Sequence, residues 1–275
     1  MSTTGTLFSL EGKTAIVTGA LGLLGQEHCR ALSAAGARVV VADIDRNACD
    51  AFARTMRTEL VCEAMGVELD VTSAEAVLKA RDTVLKKWPS IDVLINNAAI
   101  NDKFDGTVSK ASQSRFEEYS LDLWKETLDM NVTGVFLCSQ VFGGVMTAQG
   151  SGSIVNVASP YGVAALDPSL HQKPDGTQTF YKTAAYPTAK GAVLSFTRFL
   201  AAYWGSAGVR VNALSPGGVE NGQDRDFVVR YANRTPLGRM ARRSDYRGAI
   251  QFLASDASAY MTGANLIVDG GWTVW

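Results

Sequence analysis

Thr14-Ala-Ile-Val-Thr18, Gly19-Ala-Leu-Gly-Leu-Leu-Gly25 and Arg38-Val-Val-Val-Ala-Asp43 decide the fold of this chain. The first is a short apolar run that reads as a parallel strand buried on both faces. It ends at Gly19. Residues 23–35 then have helical character and stop at Gly36, a C-terminal signal. The third stretch is a second buried strand. Strand, glycine-rich turn, helix and strand in this order open a dinucleotide-binding fold.

The alternation continues to the C-terminus. Strands are expected within residues 64–69, at Val93–Asn96, at 153–157, at 210–214 and at Asn265–Val268. Helices are expected at Ala74–Lys87, within 123–149 and from near Tyr186 to 203. This predicts an α/β fold: one doubly wound, Rossmann-type parallel sheet of about seven strands flanked by helices, with residues 1–275 as a single domain. Two connections are long, at about 101–120 and 162–183. Both follow carboxyl ends of strands, where open α/β sheets bind ligands.

A hydrophobic content of 47% suffices for a substantial core, and a formal net charge of −1 gives no field to attract nucleic acid or an anionic membrane. Cys29, Cys49, Cys62 and Cys138 show no metal-ligand spacing, and no metal site is expected. They read as reduced structural thiols of a cytoplasmic protein. No signal-peptide pattern and no apolar run long enough to span a bilayer is apparent.

The first turn carries chemistry. Gly19, Gly22 and Gly25 allow a tight turn and close approach of backbone to a pyrophosphate, so Gly19, Leu21, Gly22, Leu23, Leu24 and Gly25 are expected at the cofactor. Asp43 ends the second strand, where a carboxylate accepts hydrogen bonds from ribose hydroxyls and repels a 2′-phosphate. NAD is therefore expected and NADP disfavoured, although Arg46 nearby argues the other way. Tyr186 and Lys190 stand four apart, one turn of helix, and Pro187 requires that helix to begin close by. An ammonium beside a phenol lowers its pKa from about 10. Ser159 upstream can donate a hydrogen bond to a carbonyl or alkoxide oxygen.

Thr18–Gly25, Asp70-Val71, Asn96-Asn97-Ala98-Ala99, Asn131, Ser159, Tyr186, Lys190, Pro216-Gly217 and Asp269-Gly270-Gly271 occur in one order. That ordered set resembles the short-chain dehydrogenase/reductase family, single-domain branch, over nearly the whole chain. The resemblance implies an enzyme that interconverts a secondary alcohol and a ketone by hydride transfer. It implies Asp70 and Val71 at the adenine, Asn97 near the cofactor ribose, Val219 beside the nicotinamide carboxamide, and Ala98, Pro216 and Gly217 among the cofactor contacts. Tyr186 would exchange the hydroxyl proton, Ser159 would orient the oxygen, and Lys190 would hold the nicotinamide ribose. Asn131 would hold a water in a relay behind Lys190.

Two features depart from the usual single-domain pattern. The second glycine falls at 22, where single-domain members have it one place later. The separation of Ser159 from Tyr186 is also longer than in most of them. With Ser159-Pro-Tyr-Gly162 and Pro216-Gly-Gly-Val219, the chain is similar to members of bacterial flagellin-glycan and surface-sugar pathways. This implies a sugar, polyol or sugar-nucleotide substrate. A sugar-nucleotide epimerase or dehydratase that retains NAD is the alternative, and a non-catalytic NAD-sensing protein is a third. Tyr161, which closely follows Ser159, and His171, in the long connection, are the candidate substrate contacts. His28 reads as packing or surface, and Trp272 and Trp275 as subunit contacts. Apolar residues on several faces of the helices at 123–149 and 185–203 imply a homodimer or homotetramer, since such helices pair across twofold axes in this family.

Overall fold

A computed structural model describes residues 4–101, 114–173, 175–178 and 180–275. Its strands are β1 (Thr14–Thr18), β2 (Arg38–Asp43), β3 (Ala64–Glu68), β4 (Val93–Asn96), β5 (Gly152–Val157), β6 (Val209–Pro216) and β7 (Asn265–Val268). All pair in parallel, in the order β3-β2-β1-β4-β5-β6-β7. The order reverses between β1 and β4, and such a switch point opens a crevice at the carboxyl ends of the strands.

The helices are α1 (Thr4–Leu7), α2 (Gly25–Ala34), α3 (Arg46–Leu60), α4 (Ala74–Lys87), α5 (Leu121–Leu128), α6 (Gly134–Gln149), α7 (Ala185–Trp204), α8 (Arg225–Arg234) and α9 (Arg247–Ala254). Side chains alternate across a strand, so a central strand such as β1 feeds two cores. Ala15 and Val17 pack in one layer with Leu32, Met56 and Leu253. Ile16 packs in the other with Val84, Phe142 and Leu200. Burial on both faces explains why β1 reads as a continuous apolar run.

Asp45 caps α3 by accepting from the Ala48 N–H at 3.0 Å, and Ser73 caps α4 in the same way. A π-helical turn, Asp129–Thr133, joins α5 to α6. The continuous run Leu121–Gln149 is long and apolar enough, by length and composition, to cross a membrane, which differs from the sequence expectation. It is a core helix here: Cys138, Phe142 and Met146 are buried against the sheet.

Trp272 also departs from expectation. It is buried within its own chain with Leu170, Tyr231 and Met240, because the chain turns back at Gly270 and Gly271 after β7. Trp275 is exposed. Of the long connection at 101–120, residues 102–113 lie outside the described residues. In the connection at 162–183, a short 3-10 turn, Pro168–His171, is capped by Asp167, and Gln172 bridges Gln178. Pro174 lies outside the described residues.

Candidate active site

A cavity of about 900 Å³ opens at the carboxyl ends of β1, β4, β5 and β6. Gly19, Gly22, Leu23, Leu24 and Asp43 line one end. Gly19 has φ +60°, and a Cβ there would stand 2.7 Å from Ala98 Cα, so only glycine lets this turn close onto β4. The Asp43 carboxylate accepts from the Leu21 N–H at 3.0 Å and from the Ile44 N–H at 2.8 Å. It thereby ties the turn to the end of β2 while facing the cavity. Leu21 and Gly25 do not line the cavity: Leu21 braces the turn, and a Cβ on Gly25 would meet Gly19 O at 2.2 Å. Arg46 pairs with Asp50 at 2.8 Å along α3 and does not line the cavity.

Asn97 and Ala98 line the cavity where β4 ends. The Asn97 amide donates to Thr18 O and Gly19 O at 3.0 and 2.9 Å. The Thr18 hydroxyl accepts from the Asn97 and Ala98 N–H groups at 3.0 and 3.1 Å. These bonds lock the turn to β4. Val71 is buried and lines the cavity, whereas Asp70 is exposed, bonds to Thr72 and does not line it.

Ser159 follows β5, and its Oγ accepts from the Tyr161 N–H at 3.2 Å. Tyr186 lies in the first turn of α7, with Lys190 one turn on. Both line the cavity with Ser159. Lys190 Nζ donates to Val157 O at 2.7 Å and lies 5.6 Å from the Tyr186 ring centroid. Burial pulls the Lys190 pKa down to about 8. Burial also raises the Tyr186 pKa, opposed by the hydrogen bond it shares with the Ser159 hydroxyl. The protein alone therefore does not lower the phenol pKa as the Tyr–Lys spacing suggested, because desolvation of the phenolate outweighs that bond.

Asn131 occupies the π turn, fully buried. Its Oδ1 accepts from the Ile100 N–H at 2.8 Å and its Nδ2 donates to Ile100 O at 2.9 Å. The side chain thus holds the strand leaving β4. It does not line the cavity; its neighbour Met130 does.

At the far end, Pro216, Gly217 and Val219 line the wall beside Tyr161 and His171. His171 stacks on Phe227 with centroids 5.1 Å apart and meets Phe180 edge-on at 4.9 Å. Burial first, then Lys182 and Arg230, hold its pKa down at about 4, so the imidazole is neutral at neutral pH. Tyr161 meets Trp272 edge-on at 5.3 Å, and burial raises its phenol pKa. Several lining residues escaped the sequence reading. Lys182 Nζ lies 4.8 Å from the Tyr186 ring and bonds to Asn101. It precedes α7, so no helical spacing announced it. Gln223, Phe227, Tyr231 and Met240 also line the cavity, all from the segment after β6. Among the described residues no group of His, Cys, Asp or Glu could hold a metal ion.

The chain is similar to known proteins over nearly its full length. The family model described as enoyl-(acyl carrier protein) reductase matches residues 19–273. Galactitol 2-dehydrogenase (L-tagatose-forming) of Cereibacter sphaeroides is 36% identical, over 98% of this chain and 98% of that protein. D-threitol dehydrogenase of Mycolicibacterium smegmatis is 34% identical, over 97% and 95%. Among solved structures, a gluconate 5-dehydrogenase from Burkholderia cenocepacia, in complex with NADP and tartrate, superposes with a TM-score of 0.86. It is 30% identical, and the match covers 99% of this chain and 100% of that one.

Proposed function

The chain belongs to the short-chain dehydrogenase/reductase family, and from that premise we propose that it oxidises a secondary alcohol of a sugar or polyol to the ketone, reversibly, with NAD. The observation that carries this reading is the convergence of Ser159, Tyr186 and Lys190 on the cavity that the Gly19–Gly22 turn and Asp43 also line. The turn fits a dinucleotide: its backbone lies open to the cavity, and side chains are excluded where Gly19 meets Ala98. When bound, the nicotinamide supplies the hydride chemistry. Ser159 orients the substrate oxygen, and Tyr186 takes the hydroxyl proton. The Lys190 ammonium, tethered to Val157 O, stabilises the phenolate. Asn131 acts indirectly, by fixing Ile100 at the cavity wall.

NAD is proposed over NADP because Asp43 faces the cavity while Arg46 is directed to Asp50. The bound NADP of the gluconate 5-dehydrogenase leaves this choice to the chain's own residues. The polar residues of the cavity, with Tyr161 and His171 among them, suit a hydroxylated substrate, as do the polyols named for the relatives. An assembly of two or four copies is supported by an aromatic stripe on α6 and α7. Phe136, Phe196, Phe199 and Tyr203 form a ladder of rings, with Phe199 59% and Tyr203 68% exposed. Four free cysteines suit a cytoplasmic setting.

The test is a panel of galactitol, threitol, other polyols, aldonates and sugar nucleotides, each with NAD and NADP, read by absorbance of the reduced cofactor. Stoichiometric NADH from a polyol is expected. Conversion of a sugar nucleotide without net NADH would replace this reading with the epimerase or dehydratase alternative.

A further inference from the structure

At the end of β6 the chain reads Pro216-Gly-Gly-Val219 and lines the same cavity as Tyr186 and Lys190. One peptide unit in it, joining Gly217 to Gly218, is gripped at both ends by tyrosine hydroxyls. Tyr246 Oη donates to Gly217 O at 2.8 Å, and the Gly218 N–H donates to Tyr231 Oη at 2.7 Å. The outer groups of the pair are satisfied too. The Gly217 N–H donates to Val268 O, and Gly218 O accepts from the Ala241 N–H, each at 2.9 Å. All four backbone polar groups of the two glycines are thus held by protein partners.

The glycines make this grip possible. A Cβ on Gly217 would stand 2.8 Å from Asp269 Cα, and one on Gly218 would stand 2.8 Å from Tyr231 Cζ. The tyrosines are themselves fixed. Tyr246 has no exposed surface, and Tyr231 stacks on Trp272 with centroids 6.0 Å apart and planes 17° apart. Turning the peptide would leave a buried carbonyl and a buried N–H without partners, which native interiors rarely tolerate. Val219, the next residue, has its carbonyl held by Gln223 Nε2 at 2.8 Å.

We propose that Tyr231 and Tyr246 are positioning residues that fix, through the Gly217–Gly218 peptide, the wall against which the nicotinamide ring lies. The inference rests on the dinucleotide reading above. Tyr246 lies outside the cavity and acts only through Gly217. Loosening the wall frees the ring while leaving the adenosine end, held near Asp43, untouched.

The test compares two ligands on the full-length chain: NAD, and ADP-ribose, which lacks nicotinamide. In Tyr231→Phe and in Tyr246→Phe the Kd for NAD should rise about tenfold while that for ADP-ribose stays within about twofold, the size of losing one hydrogen bond that orders a binding wall. An equal loss of both ligands, or of neither, overturns the proposal. Tyr231→Phe keeps the ring on Trp272 and decides the matter if Tyr246→Phe does not fold. A wild-type chain that binds neither ligand defeats the cofactor reading itself, and the proposal with it. ADP-ribose binding with an unchanged NAD preference in the variants defeats the proposal alone.

Discussion

Lys190 Nζ and Val157 O are 2.7 Å apart, so the base of the tyrosine helix is tied to the last residue of the strand that leads to Ser159. The tie aims a flexible side chain, and it partners an ammonium that is only 3% exposed. Lys190→Met should cut turnover by on the order of 10²–10⁴-fold, the range for a group supporting proton transfer. Lys190→Arg should rescue little, since a planar guanidinium does not fit an ammonium's place. Turnover near wild type in the Met variant would remove Lys190 from the mechanism.

Tyr186→Phe keeps the ring under Lys190 and Lys182 and removes the hydroxyl that exchanges the proton. Turnover should fall by on the order of 10²–10⁴-fold with NAD affinity retained. Calorimetry for NAD and stopped-flow rates for NADH formation separate the two quantities. Rates within a few-fold of wild type would assign the proton to another group.

Asp43→Ala removes a carboxylate from the cavity wall and also the acceptor of the Leu21 N–H. The ratio of kcat/KM for NAD to that for NADP should fall by about tenfold or more, the equivalent of roughly 1.4 kcal/mol. A wild-type chain that already prefers NADP refutes the charge argument.

His171 faces the cavity as a neutral imidazole clasped by Phe180 and Phe227. His171→Ala should raise KM for a polyol by about tenfold, as expected when a site built to bond hydroxyls loses a partner, and leave NAD affinity unchanged. An unchanged KM places His171 in packing alone.

His28 predicts a pH effect on stability. It is fully buried on α2, neither ring nitrogen has a hydrogen-bond partner, and burial lowers its pKa to about 3. The unfolded chain protonates near 6.5 while the folded chain does not. The stability from the neutral imidazole is therefore complete above 6.5 and is lost as pH falls toward 3. His28→Leu should flatten this acid limb, by at most roughly 5 kcal/mol across the window. Urea denaturation at pH 7 and pH 4.5 measures it, and equal slopes in both proteins would count against the assignment.

The sheet was legible because both its faces are covered, which turns β1, β2, β4 and β5 into unmistakable apolar runs. Gly19, Gly22, Asp43, Ser159, Tyr186 and Lys190 were legible because local spacing fixes their positions, and all line one cavity. What escaped depends on contacts distant in sequence. Asn131 reaches Ile100 through a π turn that no periodicity announces. Helix α8 is mostly polar, so nothing local says that Tyr231 turns inward to Gly218. Trp272 is packed inside its own chain by residues as distant in sequence as Tyr161 and Leu170. Leu21, Gly25 and Asp70 lie at motif positions yet off the cavity wall, since a motif fixes the backbone path and not which residue faces a ligand.

The ladder from Phe136 to Tyr203 has a consequence for handling the protein. If a second copy covers those rings, folding and association become one equilibrium, and the melting temperature climbs with protein concentration. Activity measured at nanomolar enzyme would then decay with time after dilution, and a stock kept concentrated would not. A charged residue in place of Phe199 should bring on that decay at higher concentrations, since it would spoil the mutual face and spare the catalytic cavity.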